Sequence, residues 1–501
     1  MLLIGLDVGT TGCKAAVFRE NGELLTSARR EYTIDFPHPH WAEQDANTVW
    51  TLVQEVLRQV VAQAGTGDIA AIGLSVQGEA VAPVDERGCP LRPMILGMDT
   101  RTQAQNQWLR DRFGAKWLFE HSGMPLHTIN TLPKLIWIKE YEPALWKQAA
   151  RFALYEDFLT WQMTGRAVIS HCLASRTQLY DLRGVCWSEP ILSALTLDPS
   201  RLPTLQPSGT VVGPMKKEMA HDLGFSRPPL IVCGGHDQAC GALGVGLTRP
   251  GLASVSTGTA EVMEVTLAEP TLNETLYEGN ISVYTHVVPG LYVAMTINHS
   301  GGLLLRWFRD TLCQTEIVQA GATGDDPYDL ILKEASLEPS SLLVLPHFAG
   351  SGTPTFDPAS KGAILGLTFA TTKAELAKAL LEGLTFELRV NFDLLQAGGV
   401  QIDELRAIGG GARSPIWLQL KADVLGVPIA VPDVTDAACW GAALLAGIGA
   451  GCYTDLAQAA EAALHFSATF TPEPSRRARY ESRFLLYRDL YPTIAALNHR
   501  M

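Results

Sequence analysis

The sequence has no long uninterrupted apolar run, no paired cysteines and no surplus of basic charge, and each absence removes a class of protein. Its least polar late stretch, AACWGAALLAGIGAGCY (437–453), stands alone and is rich in Ala and Gly. That composition predicts a buried, tightly packed helix rather than a membrane span. Nine cysteines are scattered along the chain with no C-x-x-C pair and no zinc spacing, which suits reduced thiols in a cytosolic protein. A net charge of −13 excludes a general binder of nucleic acid or anionic membrane, since either would need a basic face. It leaves a phosphate ligand open, because backbone N–H groups bind phosphate locally whatever the total charge. The N-terminal stretch has no signal-peptide profile, Asp7 interrupting its first apolar run, so a cytoplasmic location is expected. Both common nucleotide fingerprints are missing as well. Neither G-x-x-x-x-G-K-[ST] nor a strand-linked G-x-G-x-x-G occurs, so P-loop and Rossmann readings lose their main support.

What is present is a soluble globular composition, 47% hydrophobic and 18% charged, over 501 residues, a length that calls for two domains. The opening LLIGLDVGTTGCKAAVF reads as a strand ending at Asp7, a Gly/Thr turn and a second strand to Phe18. Asn21-Gly22 then turns into a third strand. Asp45 is placed to cap a helix whose Val49, Val53, Val56, Leu57 and Val60 share one face. IAAIGLSV (69–76) reads as a buried strand, and strands alternate with helices to about residue 245, a mixed α/β layer structure. Near 246–251 the pattern restarts: LASVSTGTAEVMEV (252–265) is again strand, Gly/Thr turn, strand. D-x-G-T-T at 7–11 thus faces S-T-G-T at 256–259, a brief internal repeat. The division expected is a domain of 1–247 and one of 248–501.

Four stretches carry candidate chemistry. In the first turn, Thr10 and Thr11 can donate to phosphate oxygens, and Asp7 at the strand end can hold Mg²⁺ against them. An ordinary hairpin with a structural Asp is the alternative, outweighed by the near repeat at 256–259 and by a triple glycine, Gly409 to Gly411. The strand–GGGA–helix junction there admits either an adenosine or close helix–strand packing, with a helix starting near Ser414-Pro415. PLIVCGGHDQACGALGVG (229–246) presents His236, Asp237 and Gln238 at a strand end ahead of a small-residue helix. Asp237 either caps that helix or accepts a proton from an attacking hydroxyl in phosphoryl transfer. Gln77, Glu79 and Asp99 lie at strand ends in SVQGEA (75–80) and ILGMDTR (95–101), where they suit polyol hydroxyls or are plain loop acids.

Taken together, GLDVGTTGCKAAVF, GGHDQACGALGVG, STGTAE, FAGSGTP, KGAILGLTFATTKAELAKALLEG and GGGARSPIWLQLKADVLG resemble the FGGY carbohydrate kinases, in order and over nearly the whole chain. The resemblance implies an α/β fold of two ribonuclease-H-like, actin/hexokinase-type domains flanking a cleft for ATP, Mg²⁺ and sugar. It implies Thr10 and Thr11 at the transferred or terminal phosphates, Asp7 and Asp237 near the metal, and Asp237 as catalytic base. Gly258, Thr259, Gly302, Gly410, Gly411 and Ser414 fall to the nucleotide; Gln77, Gly78, Glu79, Asp99 and His236 fall to the substrate. Where xylulokinases typically carry Met-His and glycerol kinases Arg-Glu, this chain has Gly78-Glu79; a common tryptophan is here Gly97. Those replacements lead us to expect either an enlarged pocket or room for a different side chain. A pentulose such as xylulose or ribulose is the expected substrate, with a polyol or modified sugar behind it. A homodimer is the base-rate expectation. Two further readings come from other classes: an actin- or Hsp70-like ATPase, and an inactive sugar-binding regulator. Neither an appended peptide-binding domain nor a missing catalytic acid supports them.

Overall fold

Strongly buried runs set the first sheet. The computed structural model describes residues 1–65, 68–336 and 338–501. β1 (Leu2–Val8) and β2 (Gly12–Arg19) pair antiparallel, and β3 (Leu24–Glu31) continues the meander through the Asn21-Gly22 turn. In α1 (Ala46–Ala64) the Asp45 carboxylate accepts from the Asn47 amide, and Val49, Val53, Val56, Leu57 and Val60 are all fully buried. β4 (Ile69–Val76), buried along its whole length, lies parallel to β1. β5 (Val211–Pro214) and β6 (Leu230–His236) complete the order β5-β6-β4-β1-β2-β3, and α2 (Asp237–Gly244) leaves the end of β6.

The second sheet repeats the first. β7 (Gly251–Thr257), β8 (Glu261–Leu267), the edge strand β9 (Ser282–Thr285) and β10 (Tyr292–Asn298) form its antiparallel half. α3 (Gly302–Leu312) and the long α4 (Lys373–Ala397) follow. β11 (Ile402–Gly409), α5 (Pro415–Leu425), β12 (Ile429–Pro432), α6 (Ala437–Gly449) and β13 (Phe466–Phe470) complete this half. Its order is β9-β10-β8-β7-β11-β12-β13, with β11 and β12 parallel to β7 as β4 and β6 are to β1. The brief D-x-G-T-T/S-T-G-T likeness therefore falls on equivalent turns, β1–β2 and β7–β8.

The two halves exchange helices. α6, from the second half, lies on β1 and β4 of the first sheet. It comes so close that a Cβ on Gly73 would stand 1.9 Å from the Ala442 carbonyl oxygen. α2 in turn packs Ala242 against Leu252 and Ile408 of the second sheet. α2 and α6 meet each other through Gly244 and Gly441, whose Cβ positions lie 2.0 and 1.9 Å from facing carbonyl oxygens. Among the described residues no helix is long and apolar enough to cross a membrane, and the apolar 437–453 stretch is this interior helix.

Candidate active site

The first turn is braced from below. Gly9 N–H donates to the Gly12 carbonyl at 3.0 Å, and the Gly9 carbonyl accepts from Tyr32 Oη at 2.6 Å and from Gln77 Nε2 at 3.1 Å. Gln44 Nε2 holds the Thr10 carbonyl at 2.9 Å, while Gln44 Oε1 accepts from Gln77 and Tyr155. Thr10 and Thr11 thus stand at the tip of a fixed turn. Gln77, expected among the sugar contacts, spends its amide nitrogen on this bracing. Gly12 is required there because a Cβ would meet the Arg30 carbonyl at 2.7 Å.

Beside the turn, Asp7 accepts from Ser75 Oγ at 2.6 Å. Burial lifts its carboxyl to about 6; Ser75 opposes this, and Asp436 adds to it. Asp436, just ahead of α6, pairs with Lys14, and its Oδ2 is buried with no hydrogen-bond partner among the described residues. Asp237 opens α2 as its first residue; the cap position belongs to His236, so capping is not what Asp237 does. Although 26% of its side chain still faces the cleft, desolvation by the walls pushes its carboxyl up to about 8. The charges of Asp7, Glu79 and Glu264 add to that rise, while the Gln238 amide opposes it. Acids from both halves of the molecule converge on Asp237.

Glu79 adopts the left-handed backbone region (φ 61°), uncommon for a side-chain-bearing residue. Its carbonyl is held by Thr131 Oγ1 at 3.0 Å and Lys134 Nζ at 3.1 Å. Its carboxylate Oε1 takes both Nε (2.7 Å) and Nη2 (2.5 Å) of the buried Arg176. Across the junction between the halves, Arg176 lies 4.8 Å over the ring of Tyr284, which donates to Glu264. At Gly78 the second of the two expected outcomes is found, room taken by a different side chain. The Gly78 Cβ position is only 2.9 Å from the His236 ring, so the imidazole occupies that space, with Arg176 Nε at 3.9 Å. At Gly97 a Cβ would make ordinary contacts, with Ile129 at 3.4 Å and Glu79 Oε2 at 3.5 Å, so a small side chain fits there but no enlarged space is left. Asp99 is corrected outright. It is fully buried, and both oxygens are taken by Arg101 (2.6–2.9 Å) and the Ala42 amide (2.7 Å). It holds the loop that carries Gly97 and has no free face for a ligand. His236 keeps Nε2 3.3 Å from Asp237, and burial holds its imidazole neutral.

In the second half a cavity of about 510 Å³ is lined by Gly258, Thr259, Gly302, Gly410, Gly411 and Ser414. All six are residues expected at the nucleotide. In the triple glycine, Gly409 (φ 81°) and Gly411 pack closely against Thr257 at the end of β7, while Gly410 and Gly411 line the cavity. The sequence reading missed Arg306, Arg309, Tyr328 and Asp329 on the same wall. Arg306 and Arg309 sit one and two turns into α3, immediately after Gly302. A basic pair opening a helix behind Gly301-Gly302 is the signal that could have found them. Arg176, Lys14 and Asp436 were missed too, and their partners lie far off in sequence.

With a Gly/Thr turn in each half and an acid where the halves meet, the chain falls in the actin- and hexokinase-like class of ATP-using proteins. Comparison with known proteins narrows this. Residues 2–244 match the N-terminal domain of the FGGY family of carbohydrate kinases, and residues 253–450 match its C-terminal domain. The chain belongs to that family, and is an ATP-dependent carbohydrate kinase acting on small-molecule sugars. It is 29% identical to a xylulose kinase of Lactococcus lactis, over 100% of this chain and 98% of that one. It is 32% identical to a glycerol kinase of Bordetella parapertussis, over 91% and 90% of the two chains. The solved structure of a xyloylose kinase from Brucella ovis superposes with a TM-score of 0.90 at 28% identity, covering 99% of this chain and 100% of that one.

Proposed function

We propose that this kinase transfers the terminal phosphoryl group of ATP to a hydroxyl of a neutral pentulose, xylulose or ribulose, with Asp237 as general base. The observation that carries the reading is the charge around Asp237. Asp7, Glu79 and Glu264 face it, while the nearby cations are already engaged: Arg176 by Glu79, and Lys134 by the carbonyls of Glu79 and Ile129. Such a site favours a neutral polyhydroxy substrate over a sugar acid, whose carboxylate would add to an excess of like charge. The relatives named for xylulose favour the ketose. A polyol is the second reading, favoured by the glycerol kinase relative and the apolar Ile129 beside Glu79.

In the reaction the sugar hydroxyl oxygen bonds to the terminal phosphorus, its proton passes to the Asp237 carboxylate, and ADP leaves with the bridging oxygen. Thr10 and Thr11 steady the transferred phosphoryl group; Gly258 and Thr259 take the second phosphate contact. Gly302, Gly410, Gly411 and Ser414 receive the nucleoside end, and Glu79 with His236 orients the sugar. Mg²⁺ fits these residues. Burial raises the proton affinity of both Asp7 and Asp237, Asp436 adds to the rise at Asp7 and Asp7 to that at Asp237, and Asp436 Oδ2 is a buried acceptor without a partner among the described residues. No cluster of three metal-ligating side chains occurs among the described residues, so a cation there would rest largely on phosphate oxygens and water. Bound Mg²⁺ would supply charge neutralisation for the phosphates.

The test is ADP release from Mg-ATP across pentuloses, aldoses, polyols and aldonic acids, both enantiomers included. Stimulation by a neutral pentulose is expected; strong stimulation by an aldonate alone contradicts the charge argument. For Glu79, Glu79→Ala is expected to raise the sugar KM about tenfold or more, the size of a lost hydrogen bond to a charged group. The ATP KM should stay within about twofold. Glu79→Gln, which leaves Arg176 a partner, should show the same split. Equal effects on both KM values would remove Glu79 from the sugar.

A further inference from the structure

One contact joins the two binding regions without belonging to either. Phe356, in the loop between the short strands Leu343–Leu345 and Ala363–Leu365 ahead of α4, sits between His127 of the first half and His299 of the second. The ring centroids are 5.2 Å apart on the His127 side and 5.9 Å apart on the His299 side. Phe356 does this from a left-handed backbone (φ 46°), an outlier for a bulky side chain of the kind that surrounding structure must hold in place. Its N–H donates to the Gly352 carbonyl at 2.7 Å. Gly352 in turn lies against β10, its Cβ position 1.8 Å from the Ile297 carbonyl oxygen.

Each histidine belongs to a loop tied to one substrate. His127 Nδ1 accepts from the Ile129 amide at 3.1 Å. The Ile129 carbonyl takes Lys134 Nζ at 2.7 Å, and the same ammonium holds the Glu79 carbonyl. On the other side, His299 leads directly into Gly301 and Gly302. Gly302 N–H donates to the Gly258 carbonyl at 2.7 Å, and Leu303 N–H reaches the Thr259 carbonyl at 3.4 Å. The chain of contacts therefore runs from Glu79 through His127, Phe356 and His299 to the Gly258–Thr259 turn.

We infer that Phe356 is a positioning residue that couples the sugar loop to the nucleotide turn, so that phosphoryl transfer outruns ATP hydrolysis only while the His127–Phe356–His299 contact is made. This rests on the kinase reading above. An aromatic wedge between the two loops sets their separation, and with it how closely the sugar hydroxyl and the terminal phosphate are brought together. Aromatic contacts of this kind are individually modest, so the expected effect is a change in partition rather than loss of the fold.

The test measures sugar phosphate formed per ADP released, with the best sugar from the panel. For Phe356→Ala, sugar-independent ADP release relative to transfer is expected to rise about tenfold, with the sugar KM raised and the melting temperature near that of the parent. Phe356→Trp should restore the ratio. His127→Ala should reproduce the defect, and the double variant should be no worse than either single one, the mark of a shared contact. A Phe356→Ala enzyme with the parent ratio, or strictly additive single effects, overturns the inference while leaving the kinase reading intact. A parent protein that phosphorylates no sugar in the panel overturns the kinase reading and this inference with it.

Discussion

Asp237→Asn is expected to lower kcat by about 10²-fold or more while ATP still binds, the scale of a lost general base. The substitution keeps the shape and removes only the ability to take the hydroxyl's proton. The same change should not weaken the fold. In the parent, Asp237 is held protonated up to about 8 by desolvation and by Asp7, Glu79 and Glu264. A carboxyl whose folded value lies above its unfolded value of 3.8 binds more protons folded than unfolded, so its contribution to stability falls as pH rises between the two. Asparagine has no such cost. In metal-free protein, the melting temperature of Asp237→Asn should therefore pull ahead of the parent's between about pH 4 and pH 8, and the gap should level off above. An inactive variant that also melts early at every pH would make Asp237 a structural residue. Near-full activity would remove it from the chemistry.

Gly73→Ala is expected to destabilise the protein by about 3 kcal/mol or more, beyond the usual range for one added methyl in a core. The reason is the exchanged helix. The new Cβ would stand 1.9 Å from the Ala442 carbonyl oxygen and 3.1 Å from the Ala446 amide, both of them backbone atoms of α6. Backbone cannot swing aside as a side chain tip can, so α6 must lift from β1 and β4. Since α6 belongs to the second half, the damage should appear as loosening between the halves: early melting, protease sensitivity and lost activity together. Gly321→Ala, in an exposed helix with open space around the Cβ position, serves as the control and should be neutral or slightly stabilising. A Gly73→Ala protein as stable as the parent would mean that α6 does not press on this sheet.

These two residues also mark how far the amino-acid sequence could be read. Asp237 was legible because its setting is local: an apolar strand, two glycines, then the acid at the head of a small-residue helix. The residues that line the second-half cavity were legible as a group for the same reason, each Gly/Thr turn being a short stretch with its own chemistry. The repeat of D-x-G-T-T as S-T-G-T named two equivalent turns, and the two sheet orders agree with it. The role of Gly73 was not legible. A glycine in a buried strand gives no sign of which helix will press on it, and here the helix comes from the far end of the chain. Arg176 was hidden likewise, its partner Glu79 lying 97 residues away. Asp99 could have been read better. Arg101 stands two residues on, and an acid and an arginine so spaced at a loop can satisfy each other, as these do. At Gly78 the missing side chain left room for another, but which one was not legible: His236 comes from β6, far along the chain.

The account's central claim is that one cleft passes the terminal phosphoryl group of ATP directly to a neutral sugar. The most direct measurement is ³¹P NMR of the parent protein with Mg-ATP and the stimulating pentulose, following ADP and sugar phosphate in the same tube. The account predicts one sugar phosphate for each ADP and little free phosphate, with both signals lost in Asp237→Asn. Free phosphate growing in step with ADP, and no sugar phosphate, would contradict it.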